Sequence, residues 1–145
     1  MPKINYIEGD LFAAVNDHQN SIVIPHVCNS KGAWGAGFVI PLAKAYPSTR
    51  ECYLNWFESR NSDDDPNEGK TDVLHTGTFS LGHVQTVLVE SDVAVANMVA
   101  QTLGGKRPLS YKHLGRCMER VASYCKGLSF VGKTFCHSCP DPFHL

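Results

Sequence analysis

The sequence lacks a charge excess, a long apolar run and a leader-like start, and each absence excludes a class of protein. Its 13 Lys and Arg residues nearly balance 14 Asp and Glu residues, which removes the electrostatic basis for gripping a nucleic-acid backbone. No stretch approaches the roughly 18 apolar residues of a membrane span, and "MPKINYIEGD" has neither a basic start nor an apolar core. We therefore expect a cytoplasmic protein, or a nuclear one in a eukaryote, without membrane partners or direct nucleic-acid binding.

Cysteine is plentiful, yet disulfides are not expected. Without a secretion signal, the thiols are interpreted as reduced. A chain of 145 residues is about the size of one domain. The six cysteines are Cys28, Cys52, Cys117, Cys125, Cys136 and Cys139.

Apolar patterning predicts an α/β fold with a mixed sheet. "KINYIEGD" is typical of a short strand, and "SIVIPHVC" of a strand buried on both faces. Pro25 conflicts with the second strand, because proline donates no ladder hydrogen bond, so we expect a bulge or a strand end there. "HVQTVLVE" and "VAVANMVAQ", separated by "SD", predict an antiparallel hairpin.

Helical spacing follows the buried strand and recurs later in the chain. "GFVIPLAKAYPSTRECYLNWFES" predicts two helices, the first closed by Pro47. "LSYKHLGRCMERVASYCK" predicts an amphipathic helix, and "GLSFVGK" begins like a strand. The polar stretch "RNSDDDPNEGKTD" is interpreted as a solvated loop rather than a metal site. The apolar helix positions are Val39, Leu42, Ala43, Tyr46, Tyr53, Leu54, Phe57, Leu114, Cys117, Met118, Val121 and Tyr124.

The segment "HVCNSKGAWGAGFV" places Asn29 and a glycine-rich loop between a strand end and a helix. Ligands of α/β sheets gather outside the carboxyl ends of strands. Glycines let a backbone approach a ligand, and successive N–H groups suit phosphate. "GAWGAG" therefore predicts a diphosphate cradle, although it matches neither the dinucleotide fingerprint nor the P-loop. A purely structural turn is the alternative.

Three neighbours of this loop each have two interpretations. His26 could act as a general acid or base near neutral pH, or it could be a buried, hydrogen-bonded core residue. Trp34 could stack on a ligand or pack onto the first helix. Cys28, among apolar residues, is interpreted as a packing residue rather than a nucleophile.

The stretches "INYIEGDLF", "IPHVCNSKGAWGAGFVIPLAKAYP" and "VANMVAQ" together resemble the macro domain family over about residues 3–126. The likeness is greatest to the branch that contains the yeast-type ADP-ribose-1''-phosphate phosphatase and small stand-alone bacterial macro proteins. Its most specific element is H-x-C-N-x-x-G-x-W-G-x-G. The resemblance implies a three-layer α/β/α fold with a mixed sheet, binding ADP-ribose or ADP-ribose-1''-phosphate, free or on a macromolecule.

The resemblance also implies a set of site residues, with no cofactor and no metal. It places Asp10 at the adenine amino group with Leu11 beside the ring, although a lone Asp before "LFAAV" is equally a helix N-cap. Asn29, which would orient the distal ribose or a water, and His26 correspond to residues of the reaction centre. Gln101, with Asn97, corresponds to polar strand positions near the distal ribose. The first phosphate loop corresponds to Gly32, Trp34, Gly35, Ala36, Gly37 and Phe38.

The pattern breaks after residue 126. Relatives continue with a strand, a second glycine-rich phosphate loop and a helix, whereas residues 127–145 form a divergent or truncated tail with Cys136 and Cys139 as a C-x-x-C pair. With His137 or His144, this pair could hold zinc. The pair could instead act in redox chemistry, or the tail could be a truncated or frame-shifted version of the family's tail. Asp141 matches no family role. Lys106 is a weak substitute for the lysine of glutamate-ester hydrolases, whose place Ala100 and Gln101 occupy.

Three functions remain open at this stage. The first is a hydrolase acting on ADP-ribose-1''-phosphate or a related ADP-ribosyl linkage. The second is a non-catalytic ADP-ribose reader, and the third is a degenerate macro fold that binds nothing.

Overall fold

The chain forms a mixed four-stranded sheet with helices packed on both faces. The structure is a computed structural model that describes residues 6, 8–17, 21–64, 72–104 and 106–130. Residues 128–130 are described by their backbone alone. In chain order the elements are α1 (Leu11–Asn16), β1 (Ile22–Asn29), α2 (Val39–Ala45), α3 (Pro47–Glu58), β2 (Val73–His75), β3 (Val84–Glu90), β4 (Val93–Gln101) and α4 (Tyr111–Phe130).

The strand order is β1-β4-β3-β2, with β1 parallel to β4 and the other pairs antiparallel. The predicted hairpin is confirmed as β3 and β4, joined through Ser91 and Asp92. Strand β4 lies between β1 and β3, and all of it except Gln101 is buried. Because both faces of β4 are covered, its sequence is apolar on both faces rather than alternating.

Two apolar layers sandwich the sheet. On one face, Ala94, Ala96 and Met98 of β4 pack against Cys117 and Val121 of α4. On the other face, separate clusters join the sheet to α1, α2 and α3. The expected three-layer α/β/α arrangement is therefore confirmed, and the amphipathic pattern of α4 produces one of its outer layers.

Pro47 divides the helical segment as predicted. Helix α2 ends at Ala45, and Pro47 is the first residue of α3, where its missing N–H removes no hydrogen bond. Thr49, Cys52, Tyr53 and Trp56 form the buried side of α3. This side faces β4 and β3, so the break at proline lets one segment cover two parts of the sheet.

Two expectations differ from the structure, and one short strand was not predicted. Pro25 causes no bulge and pairs in register with Ala96; β1 has one partner among the described strands, so a proline nitrogen can face away from it. The strand-like start at Gly127 is wrong, because α4 continues to Phe130; short apolar runs do not distinguish the two states. Strand β2 has three residues and too little pattern to be predicted. The strand candidate of residues 3–10 lies partly outside the described residues, and residues 131–145 of the tail lie wholly outside them.

Within the described residues, no helix is both long and apolar enough to span a bilayer. In the same residues, no group of three His, Cys, Asp or Glu side chains could hold a metal ion. The loop residues from Arg60 to Asp64 are exposed, in agreement with a solvated loop.

Substitution of Leu42 tests how much the contact between α2 and the sheet contributes to the free energy of unfolding. Leu42 is fully buried among Ile22, Ile24 and Val95, so Leu42→Ala should lower the free energy of unfolding by about 2–5 kcal/mol. Ile40 on the same helix is 52% exposed, and Ile40→Ala should change stability by no more than about 0.5 kcal/mol. Urea unfolding followed by circular dichroism measures both variants. Equal losses would contradict the packing described for α2.

Candidate functional site

The side-chain amide of Asn29 folds the loop that follows β1. Its Oδ1 accepts hydrogen bonds from the backbone N–H groups of Lys31 (2.9 Å) and Ala33 (3.0 Å), and its Nδ2 donates to the carbonyl of Ala33 (2.7 Å). A short polar side chain at a strand end commonly closes a turn in this way. The amide therefore holds the loop against the carboxyl end of the sheet.

Tyr53 of α3 supports Asn29 from below. Its hydroxyl donates to the Asn29 carbonyl at 2.6 Å and lies 3.1 Å from Asn29 Oδ1. Burial raises the pKa of Tyr53 well above its usual value, so the hydroxyl keeps its proton. With two backbone N–H donors and the Tyr53 hydroxyl around Oδ1, the structure gives Asn29 a loop-shaping role. Its expected role at a ribose or a water stays a prediction.

The glycine loop is packed at its start and open at its end. Gly32 has φ of 73°, and a Cβ there would lie 2.4 Å from the Phe57 ring, so other residues are excluded. Gly37 also has a positive φ, of 79°. A Cβ at Gly35 or Gly37 would meet no atom of the described residues within 4 Å, and Ala36 is exposed with them. The second half of the loop has the open surroundings that a phosphate cradle requires.

Trp34 packs within the loop. Its Nε1 donates to the carbonyl of Val39, the first residue of α2, at 3.1 Å. Its ring lies 5.3 Å from the Tyr53 ring and 5.5 Å from the His26 ring, edge to face with the latter. These contacts support the packing interpretation. Part of the ring is accessible, and stacking on a ligand stays a prediction.

The start of α1 adjoins the end of the glycine loop. Asp10 is the N-cap of α1, since its Oδ1 accepts from the N–H of Phe12 at 3.0 Å. The Phe12 ring stacks on the Phe38 ring at 6.0 Å between centroids. Asp10 is exposed, and Leu11 is 42% exposed. The structure therefore brings the expected adenine-binding and phosphate-binding residues to one side of the sheet.

Gln101 lies beside Asn29 at the same edge. The two residues pair at the ends of β4 and β1, after a shift in register between Cys28 and Asn29, and the Gln101 carbonyl accepts from Ser30 N–H at 2.8 Å. Asn97 differs from its expectation: it is fully buried within β4, so its predicted place near the distal ribose is wrong. Asn97 lies four residues before the end of β4 at Gln101, which is two repeats of the pleat inside the sheet. Lys106 is exposed, and no described contact ties it to the loop.

His26 is both buried and next to the loop. It is 8% exposed, and its Nε2 lies 2.5 Å from Asn97 Oδ1. The Trp34 and Phe38 rings lie within 6 Å of its ring. Burial lowers the pKa of His26 to about 4, against the opposing effect of the hydrogen bond between its Nε2 and the Asn97 Oδ1 acceptor. The ring is therefore neutral near neutral pH, which suits a proton acceptor better than a donor.

Cys28 is a buried thiol, as expected. It is 4% exposed, and burial raises its pKa far above the usual value for cysteine. Its Sγ lies 3.7 Å from His26 Nε2 and 3.9 Å from His26 Nδ1. Because the thiolate is the nucleophilic form, the structure supports packing for Cys28 rather than nucleophilic attack.

Two polar residues on the same face of the sheet as His26 were missed by sequence reasoning. Gln85 of β3 is fully buried and hydrogen-bonds to Asn97, and the His75 ring on β2 lies within hydrogen-bond distance of Gln85. The only signal for Gln85 is an amide within the apolar strand "VQTVLVE". Such a residue in a covered strand requires buried partners, but the sequence alone does not identify them.

The geometry defines an α/β/α domain with a glycine loop open at the carboxyl end of its sheet. No protein-family model matches the chain. Over 54 residues, 37% of its length, the chain is 43% identical to the ADP-ribose 1''-phosphate phosphatase of Meyerozyma guilliermondii, of which the match covers 30%. Matches to the curated relatives span about a third of those proteins' length.

Solved structures extend the likeness to most of the chain. A macrodomain protein from Streptomyces coelicolor superposes with a TM-score of 0.63 and 34% identity, over 78% of this chain and 66% of that one. A protein of unknown function from Bacteroides thetaiotaomicron gives a TM-score of 0.68 and 32% identity, over 86% and 71% of the two chains. The chain belongs to the macro domain family.

The pKa of His26 predicts how stability depends on pH. An unfolded histidine titrates near 6.5, whereas folded His26 titrates at about 4, so the unfolded state binds more protons between these values. The free energy of unfolding should fall by up to roughly 3 kcal/mol as the pH decreases through this window. Urea unfolding of the wild type and His26→Gln across the window isolates this contribution. Parallel pH curves for the two proteins would show that His26 is not the group responsible.

Proposed function

We propose that this macro domain binds ADP-ribose and hydrolyses ADP-ribose-1''-phosphate or a related ADP-ribosyl linkage. The observation that carries the proposal is the open half of the glycine loop, from Gly35 to Phe38, next to the start of α1. The similarity to ADP-ribose 1''-phosphate phosphatases of yeasts supports the same substrate class. Asp10 and Leu11 would bind the adenine, and Gln101 would lie near the distal ribose.

The loop suits a diphosphate for three physical reasons. Its glycines present backbone rather than Cβ atoms to the ligand, and Gly35 and Gly37 have open space beside them. Backbone N–H groups in such a loop bind anions without a charged side chain. The first helix after the loop begins at Val39, so the loop ends at a helix N-terminus. Gly32, Trp34 and Ala36 would keep the loop in this shape.

His26 would accept a proton during hydrolysis. Attack of water on phosphorus forms a new P–O bond and breaks the bond to the 1''-oxygen. The proton of the water passes to the neutral imidazole and then to the leaving oxygen, giving ADP-ribose and inorganic phosphate. With a pKa of about 4 the ring is unprotonated at neutral pH, so one of its nitrogens has a free lone pair for this proton. Asn29 would contribute by holding the loop from which the substrate is presented.

A non-catalytic ADP-ribose reader is the second candidate. It is favoured by the burial of His26, which is 8% exposed, and by the commitment of the Asn29 amide to the loop. Both functions require the same cradle. Binding and turnover must therefore be measured separately.

Binding is tested by filling the open half of the loop. Gly35→Glu places a side chain and a negative charge where the diphosphate is proposed to lie, and should weaken ADP-ribose binding by more than about tenfold, or 1.4 kcal/mol. Gly35→Ala is the matched control, because a Cβ there meets nothing, and it should bind nearly as well as the wild type. Asp10→Ala should also weaken binding. Isothermal titration calorimetry measures all four proteins, and equal affinities throughout would refute the proposed site.

Turnover is tested by the release of inorganic phosphate from ADP-ribose-1''-phosphate. The wild type should release phosphate, and His26→Gln should be slower by about a hundredfold or more, the usual contribution of a general base. ADP-ribose affinity should change little in this variant. If the wild type releases no more phosphate than a boiled sample while ADP-ribose still binds, the hydrolase is excluded and the reader is retained.

A further inference from the structure

A row of hydrogen-bonded side chains crosses the whole described sheet. In the strand registers, His26 pairs with Asn97, Asn97 with Gln85, and Gln85 with His75. Paired residues on neighbouring strands place their side chains on the same face. His26 Nε2 lies 2.5 Å from Asn97 Oδ1, Asn97 Nδ2 donates to Gln85 Oε1 at 2.9 Å, and Gln85 Nε2 lies 2.9 Å from His75 Nε2. Each strand contributes one member to this cross-sheet row.

Helix α3 determines which way both amides point. Asn97 Nδ2 donates to the carbonyl of Thr49 at 3.3 Å, and Gln85 Nε2 donates to the carbonyl of Cys52 at 2.9 Å. A flipped amide would place its oxygen against one of these carbonyl oxygens. The orientation therefore follows from the backbone of α3, and Asn97 presents an oxygen to His26.

This orientation selects one form of the His26 ring. Asn97 Oδ1 can only accept a hydrogen bond, so His26 Nε2 must carry a proton. In a neutral imidazole the other nitrogen, Nδ1, then holds the lone pair. At the far end, the second Nε2 hydrogen of Gln85 points to His75 Nε2, so that nitrogen accepts. Donors thus run in one direction, from β1 to β2.

The row occupies positions where apolar side chains would otherwise pack. Asn97 and Gln85 are both fully buried, and a buried polar group without partners costs about 1–3 kcal/mol. Because every described bond of the two amides is made to a ring, an amide or an α3 carbonyl, their arrangement is rigid. The row ends at the half-buried His75 ring, which stacks on Trp56 at 5.0 Å. Rigid orientation of His26 is the property that this arrangement supplies.

We propose that Asn97 and Gln85 are positioning residues that hold His26 as the Nε2–H tautomer and so make Nδ1 its basic atom. The use of Nδ1 in hydrolysis rests on the proposed function. The tautomer itself does not, because it follows from the buried hydrogen bonds alone. Asn97 acts directly on the ring, whereas Gln85 acts by holding Asn97.

The tautomer is measured by NMR correlation of the ring carbon-bound protons with both ring nitrogens in isotopically labelled protein. Wild-type His26 should be a single Nε2–H tautomer at neutral pH. Asn97→Leu removes the acceptor, and both tautomers should become populated. Gln85→Met, a milder change, should give a smaller shift in the same direction and serves as the test if Asn97→Leu does not fold. Thr86→Val on the same strand is the control, since Thr86 lies on the opposite face, and should match the wild type.

Kinetics with ADP-ribose-1''-phosphate separate positioning from folding. Asn97→Leu should lower kcat by roughly tenfold or more, part of the contribution of a general base, with KM within about twofold of the wild type. A wild-type Nδ1–H tautomer, or a tautomer unchanged in both amide variants, overturns the proposal. If the tautomer responds as expected but neither the wild type nor any variant releases phosphate, the positioning role of the cross-sheet row is retained and the proposed hydrolase activity is excluded.

Discussion

The hydrogen bonds of the Asn29 amide join the end of the sheet to the glycine loop, and the site depends on them. One short side chain satisfies two backbone N–H groups and one carbonyl of the loop, while the Tyr53 hydroxyl holds the Asn29 carbonyl from the helix beneath. These bonds take the chain out of the sheet without leaving buried backbone groups unpaired. The second half of the loop can remain open because the hydrogen bonds of Asn29 fix the conformation of the first half.

Glycine contributes to this loop in two different ways. At Gly32 the neighbouring Phe57 ring leaves no room for a Cβ, so the residue is required by packing. At Gly35 no atom of the described residues would contact a Cβ. Packing therefore does not require glycine there, and the missing side chain matters only for a ligand that binds beside the loop. Quoted as letters, the two glycines are equivalent. Their neighbours distinguish a structural requirement from a space kept for a ligand.

The polar row across the sheet shows how a core can carry specific chemistry. A histidine buried among aromatic rings has its charged form disfavoured, which lowers the pKa of His26. The Asn97 amide compensates for burial with one strong hydrogen bond and leaves the ring neutral. Carbonyls of α3 then hold the amides, so a helix on the outer layer influences a ring on β1. The break at Pro47 is part of this arrangement, because it sets where α3 begins.

Much of the fold could be predicted from local sequence. The periodicity of residues in β1, β3, β4 and α4 predicts these elements, Pro47 predicts the helix break, and the loop composition predicts where the candidate site lies. Strand β2 could not be predicted, because three residues carry no period and β2 is defined by pairing with β3. The end of α4 was also missed, because an apolar run at a helix end resembles a strand. The bulge or strand end expected at Pro25 is absent, because the effect of a proline on a strand depends on which side of that strand has a partner.

The sequence by itself determined the class of fold and the position of the glycine loop, because hydrophobic period and glycine spacing are local properties. Only the tertiary structure decided the roles of Asn97, Gln85 and His75. Their positions in the chain are 12 and 10 residues apart, and they meet because strand register aligns them across the sheet. Register depends on all the contacts of the sheet at once, and no short stretch of sequence contains that information.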